Sequence, residues 1–252
     1  MENIVQAQDL SFRYEGSPPG EEVLSQLSFA ITRGERVGLV GCNGVGKSTL
    51  LKILVGILPM QDGTLTIGGL TPTRKNLPEI RKKVGYIFQD SDSQLFMPTV
   101  WADVAFAAQN YGYPPGEVEA RTRRALAQVQ MESYADRPVY RLSGGQKKLA
   151  SIAGILTLDP ELILMDEPSA ALDPRNRRKL IQILNALPCA KLIASHDLDF
   201  IYDTCGRVLL LHHGQLAADG SAKEILRDKA LLEQCELELP LRFQLPQDAR
   251  EG

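Results

Sequence analysis

The segment from Gly41 to Thr49, "GCNGVGKST", has the residue types and the spacing that hold the phosphates of a nucleotide. Two glycines separated by four residues precede Lys47 and Ser48, as in a phosphate-binding loop. Glycines let backbone N–H groups converge on phosphate oxygens, and the following helix adds its N-terminal dipole. We predict that Lys47 contacts the β- and γ-phosphates, Ser48 binds Mg²⁺ and Thr49 contacts the α-phosphate. The predicted loop contacts are Gly41, Asn43, Gly44, Gly46, Lys47, Ser48 and Thr49.

Two adjacent carboxylates, Asp166 and Glu167, follow the apolar run "LILM". The run predicts a buried strand, and ligands of α/β sheets bind at the carboxyl ends of strands. Asp166 suits a partner of Mg²⁺, directly or through water, and Glu167 suits the base that activates an attacking water. Alone, the pair would equally suit a solvated loop, but the upstream phosphate loop favours the catalytic interpretation.

A second glycine-rich turn, "LSGGQ", precedes another predicted helix and comprises Leu142, Ser143, Gly144, Gly145 and Gln146. It cannot serve the phosphates near Lys47 if the first loop already surrounds them. It can serve phosphates held by another copy, to which Ser143 and the two glycines would donate hydrogen bonds. ATP binding would then close a dimer and hydrolysis would open it.

The elements around these motifs predict an α/β core with a helical insertion. Strands are expected before the phosphate loop and before the acidic pair. A strand pair joined by a polar turn at residues 15–22 is expected at the N-terminus, and a final hairpin is expected at residues 207–220. Residues from about 100 to 158 are predicted to be mostly helical.

Composition narrows the classes of protein that fit. The chain has 252 residues, enough for one or two domains with a hydrophobic core. Its net charge of −3 argues weakly against bulk nucleic-acid binding. No apolar run approaches the ~18 residues of a membrane helix, and the acidic N-terminus lacks the layout of a signal peptide. The four scattered cysteines form no C-x-x-C pair, which argues against a zinc site.

The order of the motifs, with "LSGGQ" after a phosphate loop and just before "MDEP", resembles the ATP-binding-cassette (ABC) ATPases over residues 3–225. The resemblance implies ATP hydrolysis with ATP and Mg²⁺ as cofactors. It implies an α/β fold: a P-loop NTPase core, with a RecA-like parallel sheet and an antiparallel β subdomain, plus a helical signature subdomain at about 95–158. The hairpin at residues 207–220 would be peripheral, and residues 226–252 would form a C-terminal tail.

The same resemblance assigns roles to four further residues. Tyr14 matches the aromatic that stacks on adenine, and Asp173 matches the loop that links two cassettes. Gln89 matches the glutamine that reaches Mg²⁺ and the attacking water, and His196 matches the switch histidine that contacts the γ-phosphate. Glu167, His196 and Gln89 are therefore the predicted catalytic residues, with Ser48, Gln89 and Asp166 at Mg²⁺.

Two positions depart from the pattern of many relatives. Ala171 replaces a glycine, and Leu149 lies near a position where relatives carry arginine just after the signature. Neither departure removes a catalytic group, although the second is expected to alter how the signature helix is held.

The stretch "FQDSDSQLFMPTVWADVAFAAQNYG" is similar to the energy-coupling factor importers, especially their cobalt and nickel branch. That family implies two cassettes, identical or paralogous, on the cytoplasmic face of the membrane. They would bind an integral membrane coupling protein and a small membrane protein that captures the substrate, and no nucleic acid. Five apolar residues are expected to line a groove for a partner helix: Leu95, Phe96, Val100, Trp101 and Phe106.

Three alternatives remain open at this point. A transition-metal importer is the first interpretation, and a vitamin importer of the same family is the second. The third is a stand-alone ABC ATPase that acts on nucleic acid or ribosomes.

Overall fold

The structure is a computed structural model that describes residues 2–18 and 21–244. Residues 19 and 20 of the predicted polar turn, and residues 245–252 of the predicted tail, lie outside the described residues. In chain order the strands are β1 (Asn3–Phe12), β2 (Leu24–Thr32), β3 (Arg36–Val40), β4 (Asp62–Ile67), β5 (Val84–Ile87), β6 (Leu162–Asp166), β7 (Ala190–Ala194), β8 (Arg207–His212) and β9 (Gln215–Ser221).

The described helices follow the same order along the chain. They are α1 (Lys47–Leu54), α2 (Leu77–Lys83), α3 (Val100–Asn110), α4 (Pro115–Gln128), α5 (Gly144–Leu156), α6 (Pro174–Ala186), α7 (Leu198–Thr204), α8 (Ala222–Ile225), α9 (Lys229–Gln234) and α10 (Leu241–Gln244). Two short 3-10 helices, Glu132–Tyr134 and Val139–Arg141, lie between α4 and α5.

The central sheet has six strands in the order β5–β6–β7–β3–β8–β9. The first five strands are mutually parallel, and β9 runs antiparallel to β8. In β6, Ile163 and Met165 join one buried cluster while Leu162 and Leu164 join the other. Burial on both faces is why this strand is a continuous apolar run rather than an alternating one. A separate antiparallel sheet has the order β2–β1–β4.

Helices α3, α4 and α5 pack against one another and form the helical region between β5 and β6. The predicted P-loop NTPase fold, with a parallel core, an antiparallel β unit and a helical subdomain, is therefore confirmed. The domain boundary at residue 225 stays a prediction, although Leu232 and Cys235 beyond it join the main buried cluster.

Two elements differ from the sequence expectations. The hairpin of β8 and β9 is not peripheral, because β8 pairs with β3 inside the central sheet and its residues Val208–Leu211 are fully buried. Helix α2 was not expected, since its seven residues bury only Ile80 and show no amphipathic stripe.

The described part of the predicted tail packs against helix α7. Arg242 of α10 forms ion pairs with Asp199 (2.6 Å) and Asp203 (2.8 Å) of α7. Phe243 packs edge-on against Tyr202, with ring centroids 5.2 Å apart.

Candidate nucleotide-binding and hydrolysis site

A cavity of about 390 Å³ lies at the carboxyl ends of the central strands. It is lined by Tyr14, Val23, Asn43, Gly44, Gly46, Lys47, Ser48, Thr49, Gln89, Asp166, Glu167 and His196. Eleven of these twelve residues are predicted site residues, drawn from five separate segments of the chain. Val23 was missed, because nothing in an apolar residue at the start of a strand signals a cavity wall.

The phosphate loop holds its own lysine. Lys47 Nζ donates hydrogen bonds to the carbonyl oxygens of Gly41 (2.7 Å) and Cys42 (3.0 Å). Burial lowers the pKa of Lys47, and the charge of Glu167 opposes that effect. Gly46 has φ 109°, and a Cβ there would lie 2.9 Å from the Val23 carbonyl oxygen. This glycine is therefore required by both conformation and space.

Glu167 lies directly after β6 and is held by the segment that follows β7. Its carboxylate accepts hydrogen bonds from Ser195 Oγ (3.1 Å) and from the backbone N–H of His196 (3.1 Å). His196 Nδ1 lies 2.8 Å from Glu167 Oε2. The proposed base and the proposed γ-phosphate sensor are thus joined directly. Glu167 is 7% exposed and has φ 45°, a strained conformation for a residue with a side chain.

Asp166 is the last residue of β6, directly before Glu167, and is also buried. Tyr86 of β5 lies near it. Burial raises the pKa of the Tyr86 hydroxyl, and the negative charge and hydrogen bond of Asp166 add to that effect. Tyr86 therefore stays a neutral partner of the carboxylate.

Tyr14 presents its ring at the mouth of the cavity. The side chain is 40% exposed, its hydroxyl lies 3.0 Å from Thr49 Oγ1, and its ring meets Phe12 edge-on. An exposed aromatic face fixed at one edge is suited to base stacking.

Gln89 follows β5, and its loop is fastened to helix α5. Lys148 Nζ donates to the carbonyl oxygens of Phe88 and Gln89, both at 2.8 Å. Burial lowers the pKa of Lys148 to about 8, opposed by the charges of Asp90 and Asp166. Sequence reasoning missed Lys148, whose position beside the signature offered no signal apart from its charge.

The signature residues do not line this cavity. Ser143 caps α5 through a capping box: its Oγ accepts from the Gln146 N–H at 3.4 Å, and Gln146 Oε1 accepts from the Ser143 N–H at 3.0 Å. A Cβ on Gly144 would meet no atom within 4 Å, whereas a Cβ on Gly145 would lie 2.7 Å from Asn176. The two glycines thus have different local environments, one open and one closely packed.

Asp173 also lies outside the cavity lining. It caps α6, where Asp173 Oδ1 accepts from the Asn176 N–H at 2.9 Å. This hydrogen bond is the main reason why the pKa of Asp173 is lowered. The role of Asp173 between two cassettes stays a prediction.

The residues that face the cavity suit Mg²⁺ only together with a nucleotide. The hydroxyl of Ser48, the amide oxygen of Gln89 and the carboxylate of Asp166 line one space and are the oxygen donors that Mg²⁺ prefers. Among residues 2–18 and 21–244, no group of three or more His, Cys, Asp or Glu side chains could hold a metal ion. Phosphate oxygens would therefore have to complete the coordination.

Comparison with known proteins gives the chain its family. The family model described as "ABC transporter" matches residues 24–170. An ABC transporter ATP-binding protein of Geobacter sulfurreducens is 45% identical over 96% of each chain. The energy-coupling factor transporter ATP-binding protein EcfA of Methanocaldococcus jannaschii is 41% identical over 94% of this chain and 86% of that protein.

Solved structures agree with these relatives. The structure of cbiO1 from Clostridium perfringens, described as part of the ABC transporter complex cbiONQ, superposes with a TM-score of 0.84. It is 33% identical and the match covers 97% of this chain and 98% of that one. The phosphate loop, the acidic pair and the signature of this chain thus stand in the fold of an ATP-binding, ATP-hydrolysing cassette, and the chain belongs to the ABC transporter ATPases of the energy-coupling factor type.

Proposed function

We propose that this chain is the ATPase subunit of an importer that takes up a transition-metal ion, cobalt or nickel. The observation that carries the ATPase mechanism is the buried Glu167 carboxylate, held by Ser195 and His196 at the wall of the cavity that Lys47 also lines. The metal substrate is supported by two similarities. The stretch after Gln89 is similar to the cobalt and nickel branch, and the fold matches cbiO1 along nearly its whole length.

The proposed reaction uses each wall of the cavity differently. Tyr14 stacks on the base, the loop from Gly41 to Thr49 surrounds the phosphates, and Lys47 turns from its own carbonyls toward them. Glu167 then takes a proton from a water molecule that Gln89 and His196 help to position. The water oxygen bonds to the γ-phosphorus as the bond from that phosphorus to the β–γ bridging oxygen breaks, which releases ADP and phosphate. Bound Mg²⁺ would supply charge neutralisation at the phosphates, with Ser48, Gln89 and Asp166 as its protein ligands.

The remaining phosphate contacts come from a second cassette. Ser143 and Gly144 lie at the first turn of α5, outside the cavity, where the open space at Gly144 can admit a phosphate carried by a partner. Closure of two cassettes on two nucleotides would then do mechanical work on the membrane subunits, provided that ATP binds the closed pair more tightly.

The proposed contact with the membrane coupling protein is smaller than the sequence suggested. Phe96 (64% exposed) and Phe106 (38% exposed) meet edge-on, with centroids 4.8 Å apart, beside a shallow groove that Leu95 also lines. Val100 is fully buried in the core, and Trp101 lines a different depression under Arg123. The five-residue groove prediction is therefore wrong for these two residues.

Among residues 2–18 and 21–244, no helix combines the length and the apolar character needed to cross a membrane. Attachment to the cytoplasmic face of a membrane, as proposed here, would depend on partner subunits. A vitamin importer of the same family remains the second candidate, since the cassette does not contact the substrate. The relatives named as transporter proteins favour either importer over an ATPase that acts on nucleic acid or ribosomes.

Uptake by cells that carry the Glu167→Gln chain would test the substrate. We expect uptake of radioactive Co²⁺ or Ni²⁺ to fall to background, while uptake of labelled biotin and thiamine is unchanged. Loss of vitamin uptake with normal metal uptake would replace the first candidate by the second.

A pull-down of the chain in mild detergent would test its partners. We expect it to recover a multispanning protein with a small membrane protein, and recovery of ribosomal proteins instead would contradict a role in transport.

A further inference from the structure

Lys148 is a buried cation that no part of the proposed reaction uses directly. It is 3% exposed and lies in α5, five residues after the Ser143 cap. Burying a lysine is costly unless its charge and its donors are matched. Here two carbonyl oxygens accept from Nζ, and the charges of Asp90 and Asp166 favour the cation.

Both carbonyls belong to the segment that delivers Gln89 to the cavity. The parallel pairing of β5 with β6 ends at Ile87, so the Phe88 and Gln89 carbonyls are free of the sheet ladder. The Gln94 side chain also holds this segment, accepting from the Phe88 N–H and donating to the Tyr86 carbonyl, both at 3.2 Å. Lys148 thus holds the Gln89 carbonyl by a hydrogen bond from α5, the helix that begins at the signature.

The neighbouring lysine makes a different contact. Lys147 forms an ion pair with the side chain of Asp92, which is 67% exposed. It therefore touches the outer part of the same loop without reaching the backbone at Gln89. Because the Asp92 end of this ion pair is open to solvent, the pair contributes little, which makes Lys147 a matched control.

We propose that Lys148 is a positioning residue: by holding the Phe88 and Gln89 carbonyls, it sets where the Gln89 side chain enters the nucleotide cavity. Because Lys148 lies on α5, movement of the first turn of that helix toward a partner's phosphates would move Gln89 in the chain's own site. The inference rests on the proposed role of Gln89 at Mg²⁺ and the attacking water. Misplacing a catalytic group by about 1 Å can reduce turnover about 100-fold.

The test is ATP hydrolysis by the full-length chain carrying Lys148→Met, which has a similar volume and no donor. We expect kcat to fall about 10- to 100-fold with the KM for ATP changed less than about twofold, and half-maximal activity to need more Mg²⁺. Thermal unfolding should stay near wild type, because methionine carries no desolvation cost. Lys147→Met should change kcat by less than about twofold.

A double-mutant cycle with Gln89→Ala separates positioning from a general packing role. If Lys148 acts through Gln89, the double variant should be no slower than Gln89→Ala alone. Losses that multiply, or a wild-type kcat in Lys148→Met, would overturn the inference. A wild-type kcat in Gln89→Ala would instead contradict the proposed site. Should Lys148→Met fail to fold, Lys148→Gln, which keeps an N–H donor, enters the same cycle with an intermediate loss expected.

Discussion

The segment after β6 and the signature turn before α5 both serve phosphate chemistry in the proposed mechanism, but they are built in opposite ways. The first holds two residues with side chains in the left-handed region, Glu167 at φ 45° and Ala171 at φ 59°. The second is an unstrained helix start in which Ser143 and Gln146 satisfy one another. Strain tends to accumulate where a group must be aimed at a reacting atom.

The two regions also differ in what surrounds them. Glu167 is buried and bonded to Ser195 and His196 within one chain. Ser143 and Gly144 lie outside the cavity that holds Lys47. The difference fits the proposal that one chain assembles the base and the nucleotide pocket, whereas its signature serves a site on another molecule.

The largest effect on turnover is expected from a substitution at Glu167, in the segment after β6. Glu167→Gln should lower kcat by about 10²- to 10⁴-fold, because a neutral amide cannot accept a proton from water. Nucleotide binding should be retained and a closed dimer should accumulate in ATP, as seen by size-exclusion chromatography. The matched control is Glu161→Gln, which changes a carboxylate just before β6, where Glu161 contacts Arg33 outside the cavity. Rapid hydrolysis by Glu167→Gln would refute its assignment as the base.

Smaller effects are expected at the signature, where the two glycines should respond differently to substitution by alanine. Gly145→Ala should destabilise the fold by about 1–3 kcal/mol, because its Cβ would lie 2.7 Å from Asn176. Gly144→Ala should leave the unfolding temperature nearly unchanged, since a Cβ there meets no atom within 4 Å, yet it should slow hydrolysis. Calorimetry beside ATPase assays checks both. Equal stabilities with equal activities would remove the distinction between the two glycines.

The smallest effect is expected at Ala171, which lies in the segment after β6 and is not a predicted catalytic residue. Ala171→Gly should relieve left-handed strain of about 1 kcal/mol, partly offset by the greater freedom of glycine when unfolded. We expect the unfolding temperature to rise by about 1–3 °C with kcat unchanged. A lower unfolding temperature would mean that the Ala171 conformation carries no strain.

Sequence patterns predicted the central elements because their signals are local. The run "LILM" predicted β6 and the glycine spacing predicted the loop before α1, and the structure confirms both. The placement of β8 inside the sheet was not predicted, since an apolar run does not identify its neighbouring strand. The contact of Lys148 with the Gln89 carbonyl joins residues 59 positions apart, and no local pattern encodes such a contact.

The central claim is that a second copy supplies the signature to the nucleotide held by the first. The most direct measurement mixes two inactive variants, Lys47→Ala and Ser143→Arg, and follows ATP hydrolysis. Random pairing makes about half of the dimers mixed, each with one intact site, so the mixture should recover about a quarter of the wild-type rate. Ser143→Arg that hydrolyses ATP normally by itself, or a mixture no faster than its components, would contradict the claim.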